Sequence, residues 1–318
     1  MMDVAELQNK FGLPGVLGFE KTASGLVVAH ITTPQAKATV YLQGAHLTDW
    51  QPAGQKPVLF LSARSAMEPG KPIRGGVPII FPWFSERHDG KTGPQHGFAR
   101  TSVWELAFAA LAGDDLHLTF TLEPTEVSRD LGFDHFKLAY AMTIGRKLTL
   151  ELTVLNDSGS GGAHAHGADS GASLGAPLVF EEALHTYYAV ADAQKVSIDG
   201  LGGTAYIDKV DGFKPKVQPA GALRFTGRTD RPYFNTTATC VLHDEAGARR
   251  IVIAKSGSRS TVVWNPWKEL TATMPDMEPD AWLHMTAVET ANIGENTLTL
   301  KAGETHAMRV TVSVEGPA

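Results

Sequence analysis

One cysteine, Cys240, is all that 318 residues contain. A lone thiol cannot close an intrachain disulfide, which fits a reducing compartment, and it has no cysteine partner for a thiolate zinc site. Positive charge is also short. Against 34 Asp and Glu stand 28 Lys and Arg, a net charge of −6, with no long basic run. A nucleic-acid partner needs a basic patch, so none is expected. No stretch approaches the ~18 apolar residues that span a bilayer. The opening residues, Met1-Met2-Asp3-Val4-Ala5-Glu6-Leu7, carry acid where a secretory signal carries base. The expectation is a cytoplasmic protein without a membrane partner, a monomer or a weak oligomer.

Several motifs are missing as well. The chain has no GxGxxG between a strand and a helix, no GxxxxGK[S/T], no GxSxG and no HExxH. Dinucleotide, P-loop, serine-hydrolase and zinc-protease chemistry lose their usual signatures. If a phosphate is bound, arginine side chains must hold it, not a Gly-rich helix start.

Helical periodicity is scarce. Val4, Leu7 and Phe11 predict one short helix over residues 3–11. The rest alternates. Leu116, Leu118, Phe120 and Leu122 are interleaved with His117, Thr119 and Thr121; Leu148, Leu150, Leu152 and Val154 with Thr149, Glu151 and Thr153. Similar short runs lie at 26–32, 36–42, 103–109, 137–144, 222–225, 237–242, 250–254, 261–264, 283–288 and 306–314. Period two puts one face in and one out. Many such strands between Gly- and Pro-rich breaks predict an all-β chain, a large antiparallel sandwich or barrel with few short helices. With 43% hydrophobic residues the chain can bury a sizeable core, and its length does not force two domains. The exception is 157–177, DSGSGGAHAHGADSGASLGAP. It is too small and polar to order by burial and reads as a mobile surface loop. His164 and His166 within it have no third ligand nearby and make a poor metal site.

The stretch with most chemical content runs from Arg74 to Arg100. Arg74 stands beside Gly75 and Gly76, which let backbone and ligand come close. Pro78 and Pro82 bracket an apolar run, excluding a long helix or a central strand. Gln95, His96 and Arg100 follow. Arginine forks match phosphate or carboxylate oxygens in pairs, so a small polyanionic or polyhydroxylated ligand suits this loop. A Pro-rich connection with two surface arginines is the bland alternative. His185, at the end of an expected strand in Phe180-Glu181-Glu182-Ala183-Leu184-His185-Thr186-Tyr187-Tyr188, is the natural acid/base side chain near neutral pH, or a hydrogen-bonded structural histidine. Glu289 shares a strand face with Met285 and Ala287. A carboxylate there is either paired in a buried ion pair or has a raised pKa, as a hidden general base would. Asp230 sits in a turn-like setting where it could bond its own backbone or ligand hydroxyls. The tryptophans of Trp264-Asn265-Pro266-Trp267 could stack on a sugar or fill core. Asp208-Lys209 reads as a surface turn with no role.

Seven segments occur in one order: Arg74-Gly75-Gly76-Val77-Pro78, Phe81-Pro82-Trp83-Phe84, Pro94-Gln95-His96-Gly97-Phe98-Ala99-Arg100, Ala183-Leu184-His185-Thr186-Tyr187, Thr229-Asp230-Arg231, Trp264-Asn265-Pro266-Trp267 and Val288-Glu289. In that order and spacing the chain resembles the hexose-6-phosphate mutarotases of the aldose 1-epimerase superfamily, from about residue 36 to 314. The resemblance implies a galactose-mutarotase-like β-sandwich, one domain over 1–318, and anomer interconversion of a hexose 6-phosphate without cofactor or metal. It implies catalytic roles for His185 and Glu289 and substrate contacts at Arg74, Gln95, Arg100 and Asp230, with His96 adjoining them as a possible contact. Segment 157–177 departs from the family by its length. Two rivals stand beside this reading: an epimerase of free aldoses, and a non-catalytic sugar-binding sandwich.

Overall fold

The computed structural model describes residues 2–159 and 175–316. Most of the Gly/Ala/Ser/His-rich segment, His164 and His166 included, lies outside them. The expected helix forms at Val4–Phe11. Asp3 caps it by accepting from the Glu6 amide, and Leu7 and Phe11 are buried. No helix among the described residues is long and apolar enough to cross a membrane.

The described strands pair antiparallel in sheets of nine, eight, four and two strands. The all-β expectation holds. The centre of the nine-stranded sheet is formed by Thr305–Glu315, Leu148–Asn156, Phe136–Ile144 and Asp115–Leu122. Leu148–Asn156 is buried at every second position, as its alternation predicts. Each Leu on that inner face contributes on the order of 1.5–3 kcal/mol by leaving water. A slip of one residue would turn the whole set outward, so the register is held.

The eight-stranded sheet runs Lys214–Val217, Ala205–Asp208, Thr229–Tyr233, Ser260–Asn265, Met285–Asn292, Glu182–Leu184 and Ile79–Ile80, with Tyr187–Ala189 also on Met285–Asn292. One face enters the main core through Leu184, Tyr188, Tyr233, Val263 and Val288. The other face carries separate small clusters, one with Ala183, Val262 and Ala291 and one with Tyr187 and Met285. Met285–Asn292 is buried at all eight positions because both its faces are covered. Ile79–Ile80 is short and lies at the sheet edge, where Pro78 and Pro82 allow it; the Phe81–Pro82 bond is cis.

Some strands differ from expectation. The run at 283–288 forms instead at Met285–Asn292, and the run at 237–242 at Cys240–Asp244. Thr229–Tyr233, Lys214–Val217 and Glu182–Leu184 give no alternating signal, since two contain proline and the third is three residues buried throughout. The glycines after Arg74 serve a different approach from the one expected. Gly75 has φ +122° and Gly76 φ +60°. A Cβ at Gly75 would strike the Phe60 carbonyl, and one at Gly76 the Leu47 carbonyl. They let backbone meet backbone, which seats Arg74 against the sheet.

Candidate active site

Register explains why His185 and Glu289 meet. Glu182–Leu184 and Tyr187–Ala189 both pair with Met285–Asn292, with Leu184 opposite Thr290 and Tyr187 opposite Ala287. Continued across the gap, the same register puts His185 opposite Glu289. Facing residues of antiparallel strands share a face. The ladder opens there: the His185 amide donates to the Pro78 carbonyl at 3.0 Å, and the Val288 amide to Thr186 at 3.2 Å. The imidazole Nε2 lies 3.5 Å from Glu289 Oε1. His185 Nδ1 and Glu289 Oε2 are buried with no hydrogen-bond partner among the described residues. Such orphaned polar atoms are costly unless a ligand serves them.

The same face extends sideways. Ala287 lies opposite Trp264, and Trp264 opposite Asp230. Tyr187, Trp264 and Asp230 therefore line one row beside the His185–Glu289 row. Tyr187 stacks on His185 with ring centroids 4.7 Å apart, and Trp264 meets His185 edge-on at 6.2 Å.

Loops bring cations to this face. Arg74 donates from Nε to Asp276 at 2.9 Å and from Nη1 to the Tyr187 hydroxyl at 3.0 Å. Asp276 is itself held through its carbonyl, which accepts from Ser62 Oγ at 2.8 Å. Arg100 donates from Nη2 to the Gln95 carbonyl at 2.7 Å, while its Nε is buried without a partner. His96 has φ +66°, and its Nδ1 accepts from the Ser85 amide at 3.1 Å. In the neutral ring the proton then sits on Nε2. The ring meets Phe84 edge-on at 4.9 Å and His185 at 5.6 Å. On the far side Lys209 Nζ lies 3.7 Å from Asp230 Oδ1 and 4.9 Å from the Phe84 ring centroid.

Burial and these charges set the protonation states. Burial first, then Arg100 and Arg74, push the His185 imidazole down to about 3. Burial and the Arg100 charge hold His96 well below its ordinary value. Burial, then the charge of Asp230, raises Glu289 well above the usual carboxylate range, with Lys209 opposing. Burial also raises Asp230 against the pull of Lys209. Arg100 falls to about 10 through burial chiefly. Arg74 loses by burial but gains more from Tyr187 and Asp276, and ends above its ordinary value. Burial and the neighbouring charges thus favour a neutral imidazole beside a protonated carboxyl.

Six of the seven residues singled out in the sequence, His185, Glu289, Arg74, His96, Arg100 and Asp230, gather on this face and its rim. Gln95 is different: its side chain is exposed, and its backbone carbonyl does the holding. Asp276, Tyr187, Phe84 and Lys209 were not marked. Tyr187 could have been found, since it shares the strand parity of His185. No local pattern points to Asp276. Asp208-Lys209 is not a plain surface turn: Asp208 is buried, and Lys209 reaches the cleft. Trp264 faces the site, while Trp267 packs on Trp282 at 4.4 Å.

Known proteins share this architecture. The aldose 1-epimerase family profile matches residues 28–165 and 168–313. An Escherichia coli K12 protein with the provisional name glucose-6-phosphate 1-epimerase is 36% identical over 281 residues, covering 88% of this chain and 87% of the relative. A Salmonella typhimurium crystal structure, provisionally described as a mutarotase, superposes with a TM-score of 0.83 at 32% identity, over 96% of this chain and 95% of that one. A galactose mutarotase-like protein from Clostridium acetobutylicum superposes with a TM-score of 0.67 at 11% identity, over 94% and 98% of the two chains, a likeness of fold alone. The β-sandwich of the galactose-mutarotase type and the family resemblance read from the ordered motifs are both borne out. The chain belongs to the aldose 1-epimerase family.

Proposed function

We propose that the protein is an isomerase that interconverts the α and β anomers of a hexose 6-phosphate, glucose 6-phosphate foremost. The observation that carries this reading is the His185–Glu289 pair, 3.5 Å apart on one sheet face, with Arg74 and Arg100 at its rim. The name carried by the Escherichia coli relative, glucose-6-phosphate 1-epimerase, supports the substrate. Residues 1–318 form one domain in this reading, supported by a single main core running from Leu7 to Val312. The lone buried Cys240 supports a cytoplasmic location, and a soluble phosphosugar needs no partner beyond a monomer or weak oligomer.

Glu289 takes the proton of the C1 hydroxyl, the C1–O5 bond breaks, and protonated His185 gives its proton to the ring oxygen. Rotation about C1–C2 and closure with the roles reversed yields the other anomer. Only protons move, so no cofactor is required. Each positioned transfer is typically worth ~10²–10⁴ in rate. The substrate phosphate, a dianion held by Arg74 and Arg100, offsets the two charges that depress His185 most after burial. It thereby favours the imidazolium, whose positive charge 3.5 Å away in turn favours the Glu289 carboxylate, and that pair starts ring opening. After opening the pair is neutral, the form that burial favours. Asp230 reads hydroxyls, Gln95 serves the substrate through the Arg100 that its carbonyl holds, and His96 offers Nε2–H as a neutral donor.

Coupled-assay anomerisation of glucose 6-phosphate by His185→Ala and Glu289→Gln tests the roles. Loss of activity with the fold intact is expected; near wild-type rates in either variant would overturn them. Arg74→Ala and Arg100→Ala test the phosphate. A loss on glucose 6-phosphate that exceeds any loss on free glucose supports it, whereas equal losses favour an epimerase of free aldoses.

A further inference from the structure

Lys209 stands in this cleft although no motif marks it. The preceding residue does not hold it there. Asp208 Oδ1 caps the short turn Lys209–Asp211 by accepting from the Val210 and Asp211 amides at 3.1 and 3.2 Å, and its Oδ2 accepts from Lys216 Nζ at 2.8 Å. Lys209 extends away from that network, across the Phe84 ring, with its side chain only 20% exposed. It ends 3.7 Å from Asp230 Oδ1, an ion contact longer than a hydrogen bond. An ammonium has three donors, and among the described residues none is within hydrogen-bond reach of an acceptor. The Asp230 carboxylate likewise accepts no hydrogen bond from them. A covered cation and a covered anion therefore keep their hydrogen-bonding capacity unspent, side by side and next to Glu289.

A sugar hydroxyl is both acceptor and donor. An oxygen at ordinary hydrogen-bond length from both groups fits across a 3.7 Å gap. The phosphate is a poorer match, because Asp230 cancels the local positive charge, and the two arginines lie at the opposite rim. We propose that Lys209 and Asp230 clamp one hydroxyl of the bound sugar, Lys209 donating a hydrogen bond to its oxygen and Asp230 accepting one from its O–H. This assigns Lys209 as a specificity-determining contact and rests on the phosphosugar reading above.

The test is kcat/KM for glucose 6-phosphate and its 2-, 3- and 4-deoxy analogues, measured for wild type and Lys209→Met, which keeps the stem over Phe84. A charged hydrogen bond predicts a loss of about tenfold to a hundredfold on glucose 6-phosphate and on two analogues, and of less than about threefold on the analogue lacking the clamped hydroxyl. Unchanged kinetics, or the same fold-loss on all four substrates, would overturn the clamp. Lys209→Gln replaces the first variant if it does not fold, with the same expectation. Wild type without turnover of glucose 6-phosphate would instead remove the anomerase reading, and the clamp with it.

Discussion

Arg74 and Asp276, 202 residues apart in sequence, are joined at one oxygen: Nε and Nη2 both lie 2.9 Å from Asp276 Oδ2. With Nη1 on Tyr187 at 3.0 Å, three of the five guanidinium donors are committed to the protein. One N–H on each Nη remains for a ligand. Arg74 is thus a preset fork rather than a free surface cation, and holding it costs little entropy on binding.

That arrangement predicts the behaviour of Asp276→Asn. The side chains are 25% and 29% exposed, so the pair is worth only about 1 kcal/mol, or roughly fivefold. KM for glucose 6-phosphate should rise by about that factor while kcat stays near wild type. Steady-state kinetics check this, and a fall in kcat at constant KM would show that Asp276 does more than position Arg74.

Glu289 and His185 predict opposite pH effects on stability. Glu289 is raised above its ordinary 4.5 in the folded protein, so the native state binds its proton more tightly than the unfolded chain does. Its favourable contribution is full below 4.5 and is lost as pH rises through the folded value. At pH 8, Glu289→Gln should therefore melt no lower than wild type, and any advantage should vanish near pH 4. Activity should fall by ~10²–10⁴. His185 is depressed from 6.5 to about 3. Its contribution is present above 6.5 and is lost as pH falls toward 3. His185→Gln should thus flatten the acid side of the stability profile. Thermal melts from pH 3 to 8 measure both, and a Glu289→Gln melt below wild type at pH 8 would contradict the first.

The backbone beneath Arg74 gives a third expectation. Gly75 has φ +122° and no room for a Cβ against the Phe60 carbonyl, and its own oxygen takes a hydrogen bond from buried His46 Nε2 at 2.8 Å. Gly75→Ala should destabilise the fold by more than ~1 kcal/mol and raise KM by displacing Arg74. Gly54→Ala is the control: φ is also positive, at +76°, but open space surrounds it. That variant should lose some stability and leave KM unchanged.

Strands with one wet face were legible because burial writes a period of two into them, as in Leu148–Asn156. Strands covered on both sides lose that signature: Met285–Asn292 is buried at every position, and only the parity of Met285, Ala287 and Glu289 survives. Short segments such as Glu182–Leu184 carry too few residues to show any period. Arg74, His96, Arg100, His185, Asp230 and Glu289 stood out by residue type within ordered motifs. Lys209 and Asp276 did not, because charged residues in loops look alike until the fold says what they face.

By itself the chain determined which residues could donate or accept a proton, where strands with a single buried face run, and that a phosphate would fall to arginines. Tertiary structure decided the rest. Pairing Glu182–Leu184 and Tyr187–Ala189 with Met285–Asn292 set His185 against Glu289, and closure of the site removed both from water, turning an ordinary imidazole and carboxyl into a pair that favours neutrality. Strand register and desolvation depend on contacts between residues far apart in the chain, so local sequence does not contain them.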